Sequence, residues 1–185
     1  MTGNASIAET VTRPGADEFA PFYAGYIARI PVGANPVVEL SAQLQTLPKL
    51  LSIVGETGAG FRYAPGKWSI KEVIGHLADA ERIFGYRLLR IARADQTPLP
   101  GFEENDYVRA ADFDRRSLAE LIGEWEVVRQ ATVALVKSLE PALWDRRGTA
   151  SGHSVSARAL LYIIPGHVLH HMEVLRTRYG VREKT

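Results

Sequence analysis

Apolar residues in this chain return at steps of three and four, a spacing that lines one face of a helix and that a pleated strand cannot accommodate. From Ser117 onward, Leu118, Leu121, Ile122, Trp125, Val128, Thr132, Leu135, Val136 and Leu139 draw one continuous stripe. Ser117 with Glu120 forms a capping-box signature at its start, and Pro141 marks its end. The same signature at Ser69 and Glu72 opens a second stripe through Ile70, Val73, Ile74, Leu77, Ala80, Phe84, Leu88 and Ile91. Asn35 and Pro36 read as an N-cap and a first-turn proline for a helix through Val37, Leu40, Leu44, Leu47 and Leu51, with a bend expected at Pro48 and an end at Gly55, Gly58 and Gly60. A last helix starts near Ser154 or Ser156, carries Leu160, Ile164, His167, Val168, His171 and Leu175 on one face, and stops at Gly180. No strand alternation stands out, so the expected fold is all-α, a four-helix bundle.

Residues 94–115 separate the second and third helices, far more than the roughly 2–8 residues of a tight helix hairpin, so this segment is expected to cross the bundle. Within it, "PLPGFEENDY" reads either as a lid or rim, or as a cap anchored by buried Phe102 and Tyr107. Phe19, Phe22, Tyr23 and Tyr26 fall at helical spacing and predict a short helix packed on the bundle. Their exposed face could equally pair two chains, so a homodimer and an intramolecular clasp both stay open. Residues 1–14 are small, polar and uncapped and are expected to form a loose tail, leaving 15–185 as a single domain.

Composition removes several kinds of function. Twenty-two Lys and Arg against twenty-one Asp and Glu, with no long block of one sign, give no footprint for nucleic acid or an anionic membrane. The absence of cysteine excludes disulfides, thiolate metal sites and cysteine nucleophiles. The first residues lack the features of a secretory leader, and no apolar run reaches the roughly 18 residues a spanning helix needs, which makes a cytoplasmic location the expectation.

Any metal must therefore sit on His, Asp or Glu. His167 and His171 lie one turn apart at the centre of the last helix's apolar stripe, where two imidazoles can converge on one ion. His76, at the edge of the second helix's stripe, can supply a third ligand. Three histidines with coordination positions left for water suit a catalytic site better than a closed structural one. A hydrogen-bonded core pair accounts for the same spacing. Val168 stands where a zincin has its general-base glutamate, which argues against that reaction class. His170 falls on the neighbouring face and His153 in the loop before the last helix. Glu72 and Asp79 flank His76 by one turn and are candidate supports for its ring, alongside His170; surface ion pairing is their alternative. Arg87 and Arg90 are candidate contacts for an anionic substrate, with solvated faces or carboxylate pairs as the default reading. Three neutral imidazoles suit Zn, Ni, Fe or Cu.

The segments "YAPGKWSIKEVIGHLADAERIFGYRLLRIARAD", "TPLPGFEENDYV" and "WDRRGTASGHSVSARALLYIIPGHVLHHMEVLR" together resemble the DinB-like superfamily over roughly residues 30–180. The resemblance implies an up-down-down-up four-helix bundle with a divalent metal held between a histidine matching His76 and an HxxxH pair matching His167 and His171. Relatives on this scaffold include thiol S-transferases that use low-molecular-weight thiols and a mycothiol-dependent maleylpyruvate isomerase. The implied function is metal-dependent activation of a small thiol or of water for transfer to, or hydrolysis of, a small-molecule substrate. A non-catalytic metal-binding stress-response module is the alternative, and no catalytic residue beyond the ligands is assigned. Pro165 and Gly166, directly before His167, depart from a good helix-forming sequence and predict a kink or a restart there.

Overall fold

The computed structural model describes residues 11–182. It is an assembly of helices: α1 (Ala24–Ile27), α2 (Pro36–Leu51), α3 (Gly55–Gly58), α4 (Ile70–Ala92), α5 (Glu104–Ala111), α6 (Leu118–Lys137) and α7 (Ala157–Thr177). The four long helices α2, α4, α6 and α7 form the bundle. Each of α2 and α4 packs against both α6 and α7, so α2 lies diagonally across the bundle from α4, and α6 from α7. The capping residues act as the spacing predicts: the side chains of Asn35, Ser69, Ser117 and Ser156 accept from backbone N–H groups of the first turns of α2, α4, α6 and α7.

One element departs from the all-helical expectation. Strands β1 (Arg147–Ala150) and β2 (His153–Ser156) pair antiparallel, with Ala150 opposite His153, so His153 lies in a strand rather than a loop. The two-residue turn between them, Ser151 and Gly152, has φ of 52° and 78°, the paired positive values of the hairpin turn that matches strand twist. Four-residue strands are too short for alternation to emerge from the sequence. The long connection also holds α5, and its buried anchors are Leu99, Val108 and Phe113, whereas Tyr107 is 47% exposed and Phe102 only half-buried.

The last helix runs unbroken through Pro165, without a restart. Gly166 explains the unusual dipeptide. A Cβ there would lie 2.2 Å from the carbonyl oxygen of Tyr26, so only glycine lets α1 lie this close to α7. The aromatic segment thus packs on the bundle as predicted, and it reaches the histidines. Residues 1–10 of the expected tail lie outside the described residues. The next few are held in place: Arg13 donates to the carbonyl of Ile27 at 2.9 Å, and the Val11 carbonyl accepts from the Tyr162 hydroxyl at 3.3 Å.

Glu18 fastens the same N-terminal segment to the hairpin and α7. It is 4% exposed and accepts from Arg158 Nε at 2.7 Å and from the Gly15 N–H at 2.8 Å. Burial disfavours its charge, but Arg158, Ser156 and the Gly15 N–H more than offset this, and its pKa falls from 4.5 to about 2. A carboxyl whose folded pKa is depressed stabilises above its unfolded pKa and loses that contribution as pH falls through the folded one. At about 1.4 kcal/mol per unit, the contribution is at most about 3 kcal/mol. Urea unfolding of Glu18→Gln should therefore show lower stability at pH 7 and a flatter pH dependence between about 4.5 and 2. An unchanged acid limb would assign that pH dependence to other groups.

Candidate metal centre

Two apolar clusters fill the bundle. One gathers Phe84, Leu88, Leu160, Ile163 and Ile164, and the other Val73, Ile74, Leu77, Val168 and Met172. The histidines sit at their seam, because His76 follows Ile74 on α4 and His167 lies between Ile164 and Val168 on α7. Helical spacing then carries His171 one turn on, to the same side. His76, His167 and His171 are 2%, 3% and 9% exposed.

The rings converge by their Nε2 atoms. His167 Nε2 lies 3.1 Å from His76 Nε2 and 3.1 Å from His171 Nε2, and the candidate ligand atoms of the three all lie within 4.8 Å of one another. A neutral imidazole offers one N–H and one lone pair, so His167 Nε2 cannot satisfy both neighbours with two good hydrogen bonds. A single cation can accept a lone pair from each. Nitrogens about 2.0–2.1 Å from one ion at near-tetrahedral or right angles stand about 2.9–3.4 Å apart, which brackets the two short separations. The donor set fits a divalent ion of the Zn, Ni, Fe or Cu kind.

Electrostatics favour the neutral, ligating form. Burial lowers the pKa of His76 to about 4, with His170 adding to the effect. Burial and then the neighbouring imidazoles push His167 and His171 well below the ordinary histidine value. Proton competition for the lone pairs is correspondingly weak near neutrality.

Aromatic rings wall the cluster. Trp68 lies 4.8 Å from His76, while Tyr26 and Phe84 meet His167 edge-on at 5.1 and 5.6 Å. On the His171 side a cleft of about 280 Å³ opens, lined by residues that include Tyr63, Lys67, Trp68, Asn105, His170 and His171. His170 packs 5.0 Å from the His171 ring and faces this cleft. The long connection contributes Asn105 to the wall, so part of that segment does form the rim.

The other sequence candidates are engaged elsewhere. Glu72 closes the α4 capping box on the Ser69 N–H and pairs with Arg62. Asp79 pairs with Arg82, and Arg90 pairs with Asp95 and contacts Tyr86. Arg87 is buried and bonded to neutral oxygens. What the sequence reading missed is the aromatic wall and a buried polar chain beside it. In that chain Arg129 bonds Glu81 at 2.7 Å and Gln43 at 2.6 Å, and Gln43 donates to the Pro165 carbonyl at 3.0 Å. Its signal lay in the stripes: Gln43, Glu81 and Arg129 occupy helical positions that the surrounding apolar residues assign to the core.

A helical bundle with three inward imidazoles from two of its helices defines a class of protein with a candidate metal centre. This chain belongs to the DinB superfamily, whose sequence profile matches residues 39–175. Among solved structures it resembles YfiT from Bacillus subtilis, described as a probable metal-dependent hydrolase with an unusual four-helix bundle topology. The TM-score is 0.67 and the identity 16%, over 92% of this chain and 95% of that one. It also resembles a mycothiol-dependent maleylpyruvate isomerase, with a TM-score of 0.62 and 17% identity, over 80% of this chain and 61% of that longer one. No curated protein matches in sequence. Among the described residues, no helix is long and apolar enough to cross a membrane.

Proposed function

We propose that the protein is a metal-dependent enzyme acting on a small molecule, with His76, His167 and His171 as the ligands of one divalent ion. The observation that carries this reading is the convergence of three buried Nε2 atoms beside an open cleft. When bound, such an ion polarises a substrate oxygen or lowers the pKa of a bound water or thiol, and so supplies a nucleophile at neutral pH. The chain's own residues do the rest. The aromatic walls of Trp68, Tyr26 and Phe84 exclude bulk water from the imidazoles. His170 lines the cleft next to His171, and its imidazole can take up or give a proton there. Lys67 and Asn105 on the cleft wall offer donors that orient a carbonyl or carboxylate.

The kinship with YfiT favours hydrolysis, and that with the isomerase favours a low-molecular-weight thiol as co-substrate; both are tested together. Chelator-treated protein, reloaded with Zn, Ni or Fe, is assayed against small esters and amides and against a panel of thiols with electrophilic acceptors. Turnover should appear only with metal, and His171→Ala should lower kcat/KM by at least about 100-fold. Turnover that survives both chelation and His171→Ala would overturn the proposal.

A further inference from the structure

A second cleft, of about 240 Å³, is lined by Arg82, Tyr86, Arg87, Pro100, Phe102 and Tyr107 among others, and none of its residues lines the cleft beside His171. Arg87 lies eleven residues beyond His76 on α4, about 16 Å along the helix axis.

Arg87 is the anomaly. It is 2% exposed, yet its hydrogen bonds all go to uncharged oxygens: the Tyr23 hydroxyl at 3.1 Å, the Pro100 carbonyl at 2.8 Å and the Ser151 hydroxyl at 2.9 Å. The other fully buried arginine, Arg129, has Glu81 at 2.7 Å, and Arg82 and Arg90 on the same helix as Arg87 have Glu124 and Asp95. Glu104 acts electrostatically on Tyr23, whose hydroxyl Arg87 bonds, but no ion pair joins it to Arg87 among the described residues. Burying a lone cation is costly, and neutral acceptors replace only part of its hydration. A guanidinium carries five N–H donors in a planar fork, of which three are used here, leaving two without a partner among the described residues.

We propose that this cleft binds a small aromatic carboxylate, the carboxylate compensating Arg87 and the ring resting against Phe102 and Tyr107, whose own rings lie 5.2 Å apart. The three bonds to Tyr23, Pro100 and Ser151 hold the guanidinium in place before a ligand arrives. The volume falls below the roughly 300–1,000 Å³ of clefts that take drug-sized ligands, which limits the ligand to about one ring. The site does not depend on the histidine cluster.

Benzoate is titrated into the intact protein by calorimetry, with benzyl alcohol as the uncharged control, and again into Arg87→Met, Tyr107→Ala and His171→Ala, each first shown to be folded by circular dichroism. Saturable one-to-one benzoate binding is expected in wild type and in His171→Ala. Benzyl alcohol and folded Arg87→Met should each bind at least about tenfold more weakly. Should Arg87→Met fail to fold, Tyr107→Ala, altered only at a half-exposed ring, takes its place with a loss of severalfold. The proposal is overturned if benzoate does not saturate, if benzyl alcohol binds equally well, if His171→Ala abolishes binding, or if the folded cleft variants bind like wild type.

Discussion

Saturating the tag-free protein with zinc or nickel should raise its melting temperature by about 5–10 °C, and His167→Ala should abolish that rise. The size follows from linkage: a ligand at about 100 times its Kd adds about 2.7 kcal/mol to the folded state. A chain of this length shifts by about 2–4 °C per kcal/mol. His167 is the decisive position because its Nε2 lies 3.1 Å from the corresponding atom of each partner, so its removal leaves two imidazoles without their shared neighbour. The comparison is the metal-induced shift within each variant, which cancels the cost of the cavity that alanine leaves. His170→Ala is the control: its ring packs on His171 but is not one of the three converging groups, so the shift should persist. Elemental analysis should find about one ion per chain in wild type and in His170→Ala. A wild-type melt indifferent to metal, or equal losses in the two variants, would refute the assignment of ligands.

The second large effect concerns the bundle rather than the ion. Arg129→Ala should cost about 3–5 kcal/mol in urea unfolding, while the double replacement Glu81→Met with Arg129→Leu should recover most of the loss. The side chains of Arg129 and Glu81 are 0% and 1% exposed, and Arg129 also bonds Gln43 and lies 5.0 Å over the Trp125 ring. Removing the arginine strands a carboxylate in the core and leaves the Gln43 oxygen without its donor. The pair itself is not fully satisfied, since Glu81 Oε1 and Arg129 Nε have no hydrogen-bond partner. For that reason an apolar pair of similar volume should be tolerated. A single-variant loss below about 1 kcal/mol would show that water or a rearranged partner relieves the charge. Because Gln43 holds the carbonyl of Pro165, two residues from His167, the same variants should also weaken the metal-induced shift of the melt.

The local code for this fold was plain in the sequence. Apolar spacing and the caps at Asn35, Ser69, Ser117 and Ser156 determine where the four long helices begin and which face of each is buried, since both depend on residues within a few positions of one another. The helical interval between His167 and His171, and the place of both on an apolar stripe, follow from the same local rule. What the tertiary structure alone decided are contacts between residues far apart in the chain. Gly166 is required by the Tyr26 backbone, Arg129 by Glu81 and Gln43, and the ring of His76 meets that of His167 only because α4 packs on α7. Periodicity states which face of a helix turns inward. Which neighbour it meets there depends on how the helices are ordered around the bundle, and no local spacing carries that information.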